Sequence, residues 1–212
     1  MQGNPFSREL CNPLCAPVKL IPHSSIVIDD LLRNQASATT AITYIYCNPK
    51  DPENQTATAL VGSILKQLLA QLPTLPLSIL DFYDKLSSKN DVPTSEQMLS
   101  LVLNTCKVYK KTFLVVDALD ECEARRSFLP VLEQLGRAGV RVLVTSRPHK
   151  PDIADFFRNS SRLDIVASDD DIKLYVEEQI SSNFKHKELA EKLSEDMRRT
   201  IVSTIMRNAQ GL

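Results

Sequence analysis

Phe113-Leu114-Val115-Val116-Asp117-Ala118-Leu119-Asp120-Glu121 decides the fold. Thr112–Val116 (TFLVV) is a short, continuously apolar run. Such a run predicts a strand buried on both faces, as in a parallel sheet. It ends in an acid cluster: Asp117, Asp120 and Glu121. In an open α/β sheet, ligands bind beyond the carboxyl ends of the strands. An Asp directly after a buried strand is therefore placed to hold Mg²⁺ beside a phosphate through a hard oxygen ligand. A second acid a few residues on can orient or deprotonate a water for attack on phosphorus. The competing reading is a solvated acidic loop after a core strand.

Working outward, Val140–Thr145 (VRVLVT) is the next strand, followed by Ser146-Arg147-Pro148. A cation beside the acid-bearing strand end can pair with a terminal phosphate; a surface salt bridge is the plainer role for Arg147. Upstream, Ala41–Cys47 (AITYIYC) reads as a strand and Asn48–Gln55 as a loop. Arg162–Val166 (RLDIV) is a further candidate strand, expected to lie apart from the others or to pair poorly.

The intervening segments carry helical periods. Ser24–Asn34 is a short helix with Ile28, Leu31 and Leu32 inward. Thr56–Leu72 is the clearest helix and stops at Pro73. Pro76–Leu86 is weaker. Thr94 with Gln97 forms a capping box for a helix bearing Leu99, Val102, Leu103 and Cys106. Phe128–Leu135 carries a stripe in which Pro130 is tolerable only in the first turn. Ser168 and Asp171 cap a helix bearing Ile172, Tyr175, Val176 and Ile180, and a later one bears Met197, Ile201, Val202 and Ile205. Strands separated by helices over 41–166 predict an α/β parallel sheet. The domain division follows: an irregular arm over 1–23, the core over 24–167 and a helical segment over 168–212.

Composition narrows the function. The 212 residues make one domain, or one and a fraction. Lys and Arg number 25 against 26 Asp and Glu, a formal charge of -1, so no basic excess exists to hold nucleic acid. No stretch approaches the roughly 18 apolar residues of a membrane span. Only 5 residues are glycine, and none cluster, so no glycine-rich nest for a phosphate is present. The 5 cysteines (Cys11, Cys15, Cys47, Cys106 and Cys122) are scattered and follow no secretory signal, which predicts reduced thiols and a cytoplasmic protein. Cys11, Cys15 and His23 would be a zinc set only with a fourth ligand, and no paired C-x-x-C supports them.

FLVVDALDEC followed by VRVLVTSRP resembles the Walker B and sensor 1 motifs of NACHT-type signalling NTPases, in the STAND group of P-loop ATPases. The likeness is to the fungal form with a nephrocystin-3-like N-terminal NTPase domain. SSIVIDDLL resembles the helix after the phosphate loop, ITYIYCNPKDPENQT the second strand and its loop, and DIKLYVEEQI the start of the helical segment. The resemblance implies a three-layer P-loop NTPase-like parallel sheet, incomplete for want of its Walker A strand, with a C-terminal helical segment. It implies Asp117 as the metal-side acid, Asp120 and Glu121 as the acids serving hydrolysis, Arg147 as the nucleotide-sensing cation, and Mg-ATP or Mg-GTP as cofactor.

The departure from the family is as specific. Its G-x-x-x-x-G-K-[ST] loop precedes the SSIVIDDLL-type helix, where Asn12–His23 here contains no glycine, and Lys19 is followed by Leu20. The only Lys-Thr is Lys111-Thr112, which opens the acid-bearing strand. The family also continues beyond Gly211, so both ends read as losses from a larger protein. The expectation is a degenerate or truncated NACHT-like domain that neither hydrolyses nucleotide nor binds it tightly. It would act as an interaction or regulatory module, through protein partners or self-association on exposed sheet and helix faces, with no nucleic acid or membrane partner. Loss of a central strand predicts marginal stability. Two alternatives stand: an active ATP- or GTP-dependent NTPase whose phosphate loop lies outside this chain, and a metal-dependent hydrolase using Asp117, Asp120 and Glu121. For the latter no histidine clusters with the acids; His149 is the nearest in sequence.

Overall fold

A computed structural model describes residues 22–51, 53–89, 91–148, 150–165, 168–182 and 194–209. At its centre are three strands: β1 (Thr40–Tyr46), β2 (Lys111–Asp117) and β3 (Arg141–Val144). They form one parallel sheet in the order β1-β2-β3. The acid-bearing strand is thus the middle one, and Leu114, Val115 and Val116 are at most 1% exposed. Thr43 stands opposite Leu114, and Val116 opposite Val144.

Strand alternation gives the sheet two unlike faces. Ala41, Ile45, Leu114 and Val116 share one face and join the main core. Against it pack α2 (Ala57–Ala70), α4 (Ser95–Cys106) and α5 (Arg125–Arg137) through Ile64, Leu68, Val102, Phe128 and Leu132. α1 (Pro22–Asn34) contacts β1 and β2 and buries Ile28. Ile42 and Val115, on the opposite face of the strands, are buried outside that main core. The helix starts at Pro22 rather than Ser24, since proline suits the first helical position. Leu32, expected inward, is 45% exposed, because the buried stripe of the helix runs through Ser24 and Ile28 and leaves it to one side.

Helix boundaries follow local chemistry. Thr56 caps α2 by accepting the Ala59 N–H at 3.2 Å. The Thr94/Gln97 capping box is formed in both directions. α3 spans Leu77–Lys89. α5 ends where the Val140 N–H reaches back to the Leu135 carbonyl at 3.0 Å, with Gly139 at φ 90 making the turn into β3. Pro130 lies in the second turn of α5, not the first. The carbonyl it leaves without its usual helical donor belongs to exposed Arg126, where solvent is at hand.

The outer edge of β1 is closed by side chains. Gln71 accepts the Ile42 N–H at 3.0 Å and donates to the Ile42 carbonyl at 2.8 Å. Gln67 does the same for Tyr44, at 2.9 and 2.8 Å. Gln55 serves Asn48 in the same two-way manner beyond the strand end. Three primary amides thereby stand in for a neighbouring strand and cover an edge that would otherwise template association.

A second compact unit begins at Ser160. In it α7 (Asp169–Ser182) and α8 (Glu195–Ala209) bury Val176 and Val202 against Ile172 and Ile201. Ser168 caps α7, accepting the Asp171 N–H at 3.1 Å. The strand expected over Arg162–Val166 is not formed at 162–165: Leu163 is 82% exposed, Ile165 62%, and Arg162 pairs locally with Asp164. An alternating run becomes a strand only with an edge to pair with. Residues 1–21 of the arm, with Cys11, Cys15, Lys19 and the apolar run Val18–Ile21, lie outside the described residues, as do His149 and the side chain of His23. No described helix is long and apolar enough to cross a membrane.

Candidate functional site

The carboxyl ends of β2 and β3 meet at one hydroxyl. Register carries Thr145 to the position opposite Asp117, one step past the Val116–Val144 pair. Its Oγ1 donates to Asp117 Oδ1 at 2.7 Å and accepts the Ala118 N–H at 2.9 Å. Ala118 adopts the left-handed conformation, φ 53 and ψ 47, which residues other than glycine rarely take. That rotation turns the chain out of β2, so that the Leu119 N–H takes the Thr145 carbonyl at 2.9 Å. A single 3₁₀ turn, Leu119–Glu121, then presents the two remaining acids.

Arg147 closes that turn. Its backbone N–H donates to Asp120 Oδ1 at 3.2 Å, and its Nη2 donates to Glu121 Oε1 at 2.7 Å. Its Nε lies 3.7 Å from Asp120 Oδ2. The Asp120 side chain is 3% exposed, so its charge needs these partners. A second ion pair stands behind: Arg125 Nε donates to Asp152 Oδ2 at 2.7 Å, linking α5 to α6 (Pro151–Phe156). The Arg125 hydrogen bond holds the Asp152 carboxyl below its ordinary range.

Two thiols lie under the acids. The Cys47 N–H donates to the Asp117 carbonyl at 3.0 Å, and Cys122 ends the acid turn. The Cys47 thiol donates toward Cys122; this bond, burial, and the nearby charges of Asp117 and Asp120 push the Cys47 thiol up. The same bond draws the Cys122 thiol down to about 7 against the cost of burial, helped by the Ala124 N–H and Arg125.

All four residues read from the sequence come to this end of the sheet, in two sets. Asp117 is held by Thr145, while Asp120 and Glu121 are held by Arg147. Among the described residues no three His, Cys, Asp or Glu side chains are placed to share an ion. The guanidinium nearest the acids, that of Arg147, is paired with them. Sequence reading missed Thr145 as the partner of Asp117 and the Cys47–Cys122 contact. Counting register along three parallel strands would have found the first, because both residues end their strands at the same level.

No curated protein and no solved structure matches this chain. A family model, nephrocystin 3, N-terminal, matches residues 23–147. The match starts in α1, runs through all three strands and ends on Arg147, taking in every residue of the acid site. Over more than half its length, therefore, the chain is a member of the nephrocystin 3 N-terminal family.

Proposed function

We propose that this chain is a degenerate NACHT-like signalling NTPase domain that does not turn over nucleotide by itself and acts as an interaction or regulatory module. The observation that carries this reading is the pairing of Arg147 with Glu121 at 2.7 Å and with Asp120 through its backbone at 3.2 Å. In an active site of this class the acids face metal and water, and the cation faces phosphate. Here acids and cation satisfy one another. Family membership supports the same reading, and so does the sequence leading into α1, which has no glycine from Asn12 to Ile21. Backbone N–H groups, a lysine and a hydroxyl normally supply phosphate affinity at that place. By this reading Asp117 is the remnant of the metal-side acid, Asp120 and Glu121 of the hydrolytic pair, and Arg147 of the nucleotide sensor.

Partners on this reading are proteins or a second copy. Leu77, Leu80 and Tyr83 of α3 are 78%, 42% and 67% exposed, and Leu143 on β3 is 41% exposed. Apolar faces of this kind mark association sites. Calorimetry with Mg-ATP and Mg-GTP tests the proposal. The expected result is no hydrolysis and a Kd no tighter than about millimolar, roughly 4 kcal/mol. Micromolar binding abolished by Asp117→Ala would overturn it, and would favour an active NTPase.

A further inference from the structure

Cys47 and Cys122 are distant in sequence, but the β1–β2 register, in which Tyr46 faces Asp117, brings them together. Each is fixed by its backbone: the Cys47 N–H on the Asp117 carbonyl at 3.0 Å, the Cys122 N–H on the Leu119 carbonyl at 3.1 Å. Both belong to the main core, 7% and 0% exposed, and each thiol is the largest influence on the other's acidity. The third buried cysteine, Cys106, bonds to Thr112 instead. A disulfide needs the two side chains to approach from backbones a few ångströms apart, and the β1–β2 register with the short acid turn brings the end of β1 and the end of that turn to the same place.

We propose that Cys47 and Cys122 form a reversible disulfide, with a small peroxide as oxidant, tying the end of β1 to the turn that carries Asp120 and Glu121. The sulfur of one thiol attacks a peroxide oxygen; the O–O bond breaks and a sulfenic acid forms. The second sulfur attacks the sulfenic sulfur; the S–S bond forms and the S–O bond breaks. The two thiol protons leave in two waters, and the pair of electrons lost by the sulfurs reduces the peroxide. Small size suits the oxidant to thiols that solvent barely reaches. The bond would fix the acid turn to the sheet on its inner side, as Arg147 does on its outer side. This pairing does not depend on the nucleotide reading.

Peptide mapping of the full chain tests it without a core substitution. In a Cys11→Ser/Cys15→Ser background, three thiols remain. The protein is treated with hydrogen peroxide while folded, quenched, alkylated in denaturant and digested. The expected result is loss of two of the three alkylatable thiols, one cross-linked peptide joining Cys47 to Cys122, a free Cys106, and full recovery of all three on dithiothreitol. A Cys47→Ala variant that keeps its native circular dichroism should yield no intramolecular link. Recovery of Cys47 and Cys122 on separate peptides, alkylated or over-oxidised, from peroxide-treated protein that is still folded would overturn the proposal. So would a link from either to Cys106.

Discussion

Thr145 and Asp117 close the carboxyl end of the sheet together: the Thr145 hydroxyl donates to Asp117 Oδ1 at 2.7 Å while accepting the Ala118 N–H at 2.9 Å. One oxygen serves a nearly buried carboxylate and the first amide beyond the strand. Asp117 is 2% exposed, so water is a poor substitute for that hydroxyl.

Thr145→Val keeps the shape and removes the hydroxyl, leaving a carboxylate oxygen and an amide unmatched. It should destabilise by about 2–3 kcal/mol, as expected when buried polar groups lose a partner. Thr145→Ser should stay within about 1 kcal/mol of the native protein. Urea unfolding of the three proteins measures the difference; equal midpoints for Val and Thr would remove Thr145 from the site.

Ala118 offers a test of backbone shape. A β-branched side chain strongly resists the left-handed conformation found at φ 53. Ala118→Val should therefore cost about 1–3 kcal/mol. Ala118→Gly relieves the strain while giving up a buried methyl, and should change stability by no more than about 1 kcal/mol. The order Gly, Ala, then Val in thermal midpoint, with Val well below the others, is the outcome to look for; a native-like Val variant would contradict the observed turn.

Replacing Gln67 and Gln71 by Met keeps helix propensity and bulk but strips the side-chain bonds from β1. Each loss should cost about 1 kcal/mol. The doubly substituted protein should also sediment as larger species, because the amides of Ile42 and Tyr44 become available to other chains. Sedimentation velocity at rising concentration shows it, and an unchanged profile would mean that the edge was not at risk.

Asp152 sets an acid dependence. Its folded carboxyl titrates below the ordinary value because Arg125 bonds to the charged form. The unfolded chain therefore binds the proton more readily, so this contribution to stability is present at neutral pH. It is lost as pH falls through the depressed carboxyl range. Arg125→Met should lower stability at neutral pH and leave a smaller deficit in acid. Denaturant midpoints of both proteins across that range check the sign; a deficit that grew in acid would refute it.

Much of this arrangement was legible in the sequence because it rests on local pattern. Thr112–Val116 announced a strand buried on both faces, as in a parallel sheet, and Thr94/Gln97 announced a helix start, since burial and capping act within a few residues. Arg162–Val166 misled for the opposite reason: its alternation is local, but a strand needs a partner edge that no local pattern supplies. The acids were found as a cluster, yet their partners were not. That Thr145 would hold Asp117 while Arg147 held Asp120 and Glu121 depends on how β2 and β3 align, which only the sheet register fixes. Cys47 and Cys122 were scattered cysteines until the β1–β2 register brought the end of β1 to the acid turn.

The glutamine side chains along β1 also limit stoichiometry. With Gln71, Gln67 and Gln55 occupying one border, a strand from elsewhere can add only beside β3, whose far side pairs with nothing among the described residues. With one border open among the described residues, a molecule can share it once. Two copies joined through β3 would use up both borders and stop, related by a two-fold axis. Fibrous growth along the sheet direction would first require the glutamines to let go.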